Sequence, residues 1–161
     1  MNIDLRQQIL SDITKSYHNL SFPNFSFILE RHKAGYYSDL IAKLKATFSL
    51  TDNSDFNYHQ CYSFSLKAGS QEWGLELSLV GRYGFCQRHG HDNIVLTEKT
   101  PKNKIEHGLI DTLCNQNVIL LSMEDLKTDL GIFLVDEDMS LGHSGFVFNL
   151  LFWRERYIDD L

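Results

Sequence analysis

Tyr58-His59-Gln60-Cys61-Tyr62-Ser63-Phe64-Ser65-Leu66, then Ala68-Gly69-Ser70, then Glu72-Trp73-Gly74-Leu75-Glu76-Leu77-Ser78-Leu79-Val80 is the stretch that decides the fold class of this chain. Side chains alternate between the two faces of a strand. Tyr62, Phe64 and Leu66 therefore share one face while Cys61, Ser63 and Ser65 share the other, and Trp73, Leu75, Leu77 and Leu79 line up opposite Glu72, Glu76 and Ser78. Two such runs around a short glycine-containing turn predict a β-hairpin over residues 58–66 and 72–80. The tryptophan–leucine row is expected to be buried and the Glu72–Glu76–Ser78 row solvated. Four residues along a strand set Glu72 and Glu76 roughly 13 Å apart, beyond the ~5–9.5 Å at which a glycosidase carboxylate pair works.

On the N-terminal side, Leu5, Ile9, Ile13 and Tyr17 recur every four residues with polar residues between them, which predicts an amphipathic helix over residues 3–16. A second helix is expected over residues 36–47, where Tyr37, Leu40, Ile41 and Leu44 share a face with Phe48. Pro23 restricts residues 22–27 to an edge strand or an extended link. Beyond the hairpin, Gly81 and Gly84 read as the end or a bulge of its second strand, and a polar stretch at 89–93 leads into a short strand at 94–97. Pro101 heads a helix carrying Ile105, Leu109, Ile110 and Leu113, which Asn115-Gln116-Asn117 ends. Residues 118–121 read as a buried strand. Ser122 with Asp125 three residues on resembles a capping box opening a helix over 123–130, and residues 145–153 read as a final strand before a polar tail. The predicted fold is α+β: one domain spanning residues 1–161, with a mixed or mainly antiparallel sheet, the hairpin at its centre and about four helices packed on it.

At 161 residues the chain has the length of a single domain and needs neither metal nor disulfides to bury a core. A net charge of −6 excludes a general nucleic-acid binder, which needs a dense lysine and arginine footprint. The N-terminus has no basic segment followed by an apolar run, so no secretory signal is read there. The longest apolar stretch, residues 146–153, is interrupted by Asn149 and far short of the ~20 residues a membrane span requires. Three cysteines, Cys61, Cys86 and Cys114, form no disulfide framework. The expectation is a cytoplasmic protein with reduced thiols.

Candidate chemistry is sparse. Cys86-x2-His89-x-His91-Asp92 brings borderline zinc ligands close together on what reads as a loop. A small metal-dependent enzyme or zinc-binding protein using Cys86, His89 and His91 is accordingly the rival reading. No second paired cluster completes the site, and His107 and Cys114 lie on another predicted element, so no metal and no cofactor are expected. Gly142-His143-Ser144-Gly145 sets a histidine beside a serine but lacks the strand-to-helix elbow of a nucleophilic serine. Walker, dinucleotide and HExxH motifs are absent from the sequence. No catalytic residue is assigned.

Charge is more informative. Residues 1–50 carry six basic and four acidic side chains, and residues 82–104 carry Arg82, Arg88, Lys99, Lys102 and Lys104 against Asp92 and Glu98. Residues 124–138 carry Glu124, Asp125, Asp129, Asp136, Glu137 and Asp138 against Lys127 alone, around the apolar Gly131-Ile132-Phe133-Leu134-Val135. These six carboxylates are the predicted partner-binding residues, and a surface of this kind complements a basic partner and speeds its encounter.

Trp73-Gly74-Leu75-Glu76-Leu77-Ser78-Leu79-Val80-Gly81-Arg82-Tyr83-Gly84 resembles the central strand of small bacterial immunity proteins, in which W-x-L-x-L-S-L-V-G leads into a glycine- and tyrosine-containing turn. The helix, short apolar strand and capped segment at 109–130 extend the resemblance, which covers at most a third of the chain. It implies a non-catalytic cytoplasmic protein that binds and neutralises a cognate toxin domain of a polymorphic-toxin or contact-dependent growth inhibition system. A basic, nuclease-like toxin would suit the acidic segment. The motif maps to core, so it assigns no binding residue. A protein-interaction domain unrelated to toxins is the third reading.

Overall fold

The computed structural model describes residues 1–90, 93–132 and 145–153. In chain order its elements are α1 (Ile3–Tyr17), α2 (Ser26–Lys33), α3 (Ser38–Thr47), β1 (Ser49–Asp52), β2 (Cys61–Ala68), β3 (Gln71–Ser78), β4 (Tyr83–Arg88), β5 (Ile94–Leu96), α4 (Lys104–Cys114), β6 (Ile119–Leu120), α5 (Met123–Leu126) and α6 (Val147–Leu151). The sheet order is β1-β2-β3-β4-β5, antiparallel throughout, with β6 added parallel to β4. The fold is α+β, with the β2–β3 hairpin at the middle of a mostly antiparallel mixed sheet. Among the described residues no helix is long and apolar enough to cross a membrane.

The hairpin closes on the two-residue loop Gly69-Ser70, since Ala68 pairs with Gln71. Gly69 takes φ +60° at the first loop position, where glycine alone adopts a positive angle without strain. Trp73, Leu75 and Leu77 lie beside Leu66, Phe64 and Tyr62 in register, and all six are buried. Phe48, at the end of α3, meets the Trp73 ring edge-on at 5.7 Å. From α4 comes Glu106, fully buried, whose carboxylate accepts from Trp73 Nε1 (3.0 Å), from the Lys102 amide (2.7 Å) and from Arg88 Nε and Nη2. Burial alone would raise this carboxyl. The donors and the guanidinium charge outweigh it and hold the pKa at about 2.

The opposite face of the hairpin is not solvated as its polar residues suggest. Glu76 is only 9% exposed and accepts from Ser63 Oγ (2.8 Å) and Cys61 Sγ (3.2 Å), while Ser78 is fully buried. The cause is the segment expected to be the last strand. Residues 147–151 instead form α6, whose Phe148 and Phe152 pack on Phe85 of β4 at 5.9 and 5.0 Å. Four of its five residues are apolar and all five are buried, so the helix has no solvent face.

The last carbonyls of a helix have no partner within it, and here each finds a donor elsewhere in the fold. Gln60 Nε2 donates to Asn149 O, Tyr17 OH to Leu150 O (2.8 Å), Ser78 Oγ to Leu151 O (2.7 Å), and the Gln60 amide to Phe152 O (3.0 Å).

Four further elements depart from the sequence reading. The edge strand or extended link expected at 22–27 gives way from Ser26 to α2 (Ser26–Lys33), where Phe27 and Ile28 are buried and Arg31 Nη1 donates to the carbonyls of Leu79 and Val80. β1 follows α3 directly as an edge strand that buries none of its side chains. Gly84 lies inside a strand, not at the end of one. A Cβ there would come within 3.0 Å of Glu76 O and 3.1 Å of both Leu77 and Val118, so glycine lets three elements approach. The capping box at Ser122 and Asp125 is present, but α5 ends at Leu126.

Trp73→Ala should lower unfolding free energy by about 3–5 kcal/mol, the range for losing a large buried aromatic. Trp73→Phe, which keeps most of the packing but withdraws a donor from Glu106, should lower it by about 1–3 kcal/mol; denaturant melts read both. A depressed folded-state pKa gives stability that is present above the unfolded carboxyl value and lost as pH falls toward the folded one. Glu106→Gln should thus destabilise by about 3–5 kcal/mol at pH 7, and its difference from wild type should shrink between about pH 4.5 and pH 2.

Candidate functional site

One edge of β4 is shared. β5 pairs with Cys86, Gln87 and Arg88, and β6 pairs with Tyr83 and Gly84. Where the two neighbours part company the sheet edge opens into a groove of about 770 Å³. One wall is the turn that follows β5, closed by the Thr100 amide on Thr97 O (3.1 Å) and by the Thr97 amide on Thr100 Oγ1 (2.7 Å), which presents Glu98 and Lys99. The floor is Val118, Ile119 and Leu120. The chain enters it from the end of α4 through Asn117, whose φ of +56° lets the Val118 amide return to Leu113 O at 3.1 Å. Cys114 and, across the opening, Gln8 of α1 and Asp125 of α5 complete the lining.

Glu98 and Asp125 line the groove against Lys99. The half-buried Cys114 thiol is pushed up, first by burial and then by the carboxylates of Glu98 and Asp111. Asp125 turns one oxygen onto the Ser122 amide (3.0 Å) and hydroxyl (2.6 Å), and its other oxygen lies 3.7 Å from the Met1 ammonium. Glu124, 86% exposed, reaches the same ammonium at 3.2 Å.

Of the six predicted partner-binding residues, the fold brings Asp125 into the groove lining, with Glu124 exposed beside it on the Met1 ammonium. Asp129 is placed elsewhere. Its Oδ1 accepts from the Gly131 amide at 2.8 Å, and its backbone bridges Phe146. Asp136, Glu137 and Asp138 lie outside the described residues, as do His143 and Ser144. The competing basic stretch is depleted by the fold. Arg82 donates to Gln116 O (2.9 Å) and Tyr36 O (3.2 Å) and lies over the Tyr36 and Tyr37 rings, while Arg88 is held by Glu106. That leaves Lys99, Lys102 and Lys104 as its outward cations.

The cysteine–histidine cluster does not form on a loop. Cys86 is buried within β4 on the Trp73 face, whereas His89 is on the opposite face, its Nε2 2.9 Å from where a Cβ on Gly74 would be. Alternation along β4 thus separates the two side chains across the sheet. His91 and Asp92 lie outside the described residues, and no group of three metal-ligating side chains occurs among those described.

Glu98 is a site residue that sequence reasoning did not single out, and Cys114 enters that reasoning only as a thiol on another element than the cysteine–histidine cluster. Glu98 counts merely as one acid inside a basic stretch, and no local signal marks two strands dividing one neighbour's edge. No protein-family model matches the chain, and neither does any curated protein or solved structure.

The thiolate is the reactive form of cysteine. Cys61 and Cys86 are fully buried and their thiols are driven upward, by burial first and then by Glu76 and Glu106 respectively. A neutral alkylating agent applied to the native protein should therefore label one thiol, Cys114, and reach the other two only in denaturant. Peptide mass mapping of the labelled protein checks this.

Proposed function

We propose that the protein is a cytoplasmic, non-catalytic immunity protein that binds and blocks a toxin domain with a basic, nuclease-like surface. The observation that carries the reading is the disposition of charge. Arg31, Arg82 and Arg88 are turned inward onto carbonyls or a buried carboxylate, while Glu98 and Asp125 line an open groove and Glu124 is exposed beside Asp125. An inhibitor of a basic enzyme needs a rigid scaffold and outward carboxylates, which steer encounter and occupy sites that otherwise meet phosphates. The tryptophan strand that resembles immunity proteins supports the reading as well, since residues 73–78 serve as the central strand β3. The acidic run at 136–138 adds three further carboxylates to the same side of the balance.

The test is protection. A toxin gene directly upstream should encode the partner, and coexpression should rescue cells from it. Charge reversal of Asp136, Glu137 and Asp138 together should slow association by about tenfold at low ionic strength and flatten its salt dependence, with circular dichroism unchanged. Reversal of Lys99, Lys102 and Lys104 serves as the opposite arm; Arg88 is unsuitable because Glu106 would be left buried without its partner. If the basic triple loses binding and the acidic triple keeps it, the assignment of the surface is wrong. If the neighbouring toxin kills cells regardless of the protein, the immunity reading fails.

A further inference from the structure

We infer that the groove between the Thr97–Thr100 turn and β6 is the docking slot for an extended, lysine- or arginine-bearing segment of the partner protein; the inference rests on the binder reading and gives it a place and a chemistry. Three observations converge on that occupant.

The first is the open strand edge. β6 is bonded to β4 by the Ile119 amide on Arg82 O (2.8 Å) and the Leu121 amide on Gly84 O (2.9 Å). Backbone groups alternate in direction along a strand, so the amide and carbonyl of Leu120 face away from β4. Neither has a partner among the described residues, and Leu120 belongs to the groove floor. An edge of this kind accepts an extended chain, which supplies the missing acceptor and donor.

The second is shape. The groove lies open to solvent along the sheet edge over an apolar floor. A small ligand is held by enclosing most of its surface, whereas a polymer segment needs a trough it can enter and leave.

The third is sign. Glu98 and Asp125 line the groove, Asp111 acts with Glu98 on the Cys114 thiol, and Glu124 stands beside Asp125; these four carboxylates outnumber Lys99 and the Met1 ammonium. A cationic side chain standing beside the extended backbone meets that field favourably. A second copy of this chain, with its net charge of −6, brings the wrong sign.

Cys114 reports on the site in the full-length protein. Its modification is followed with a trimethylammonium and a sulfonate methanethiosulfonate, each rate normalised to that of 2-mercaptoethanol. The cationic reagent should be favoured by roughly tenfold at low salt, and Glu98→Gln, an exposed substitution, should remove several-fold of that preference. The peptide acetyl-Thr-Lys-Val-Lys-Val-Thr-amide should then slow alkylation of Cys114 by a neutral maleimide and shift the Leu120 amide resonance. The same peptide with glutamate for lysine should do neither. Equal rates for the two reagents, protection by the acidic peptide, or shifts confined to residues outside the groove would each overturn the inference. So would protection of Cys114 by protein concentration alone, with a dimer in sedimentation, because the occupant would then be a second copy. If these tests fail while the protein still rescues cells, the groove assignment falls and the immunity reading stands. If the lysine peptide docks and no toxin is neutralised, the slot stands and the immunity reading falls.

Discussion

Four consecutive carbonyl oxygens at the end of α6 must be given donors in a place that water does not reach, and much of the molecule is arranged to supply them. An unpaired polar group in a dry interior costs about 1–3 kcal/mol, so four would remove most of a typical domain's margin of stability. The donors come from α1 (Tyr17), from the residue before β2 (Gln60) and from β3 (Ser78), three parts of the chain remote in sequence from one another and from α6. The polar residues on the second face of the hairpin follow from this requirement. Ser78 stands where an alternating strand would ordinarily carry a solvated side chain, because a helix end lies above it.

The other face is organised by one charge pair. A buried ion pair gives little net stability, since desolvation offsets much of the attraction, but removing one member leaves the other stranded. Glu106 therefore fixes the seat of α4: its carboxylate has to meet Arg88 and Trp73 together, the Lys102 amide is drawn onto the same carboxylate, and Thr100 O is held by Arg88 Nη2 at 3.4 Å. That turn is the wall of the groove. The ion pair in the core and the shape of the acidic edge are thus consequences of one placement. Arg88 also ceases to be a surface cation, which tips the local balance of charge.

Those parts of the fold whose signals are local were legible in the sequence. The four-residue recurrence from Leu5 to Tyr17, the period of two on either side of Gly69, the Ser122–Asp125 cap and the apolar face of α4 each lie within one element and depend on nothing outside it. α6 was not legible, because an apolar run of eight residues satisfies a buried strand and a buried helix equally, and what decides between them is the set of donors at Tyr17, Gln60 and Ser78. β4 was hidden by Gly84, whose reason for being glycine is contact with Glu76, Leu77 and Val118. Of the site, a count of charges found Asp125 and, beside it, Glu124. Glu98 and the open backbone of Leu120 arise from the way β5 and β6 divide an edge, which is a property of topology alone.

The capping of α6 also imposes an order on synthesis. A chain leaves the ribosome from its N-terminus, so the hairpin, α1 and α4 emerge while residues 147–151 are still being made. Until those residues arrive, Phe85, Ser78 and the Tyr17 hydroxyl face a vacant seat. The nascent chain therefore passes through a stage in which this face of its sheet, Phe85 among its polar side chains, is uncovered. Seating a segment of five residues then covers that face and gives its hydroxyl and amide donors their acceptors.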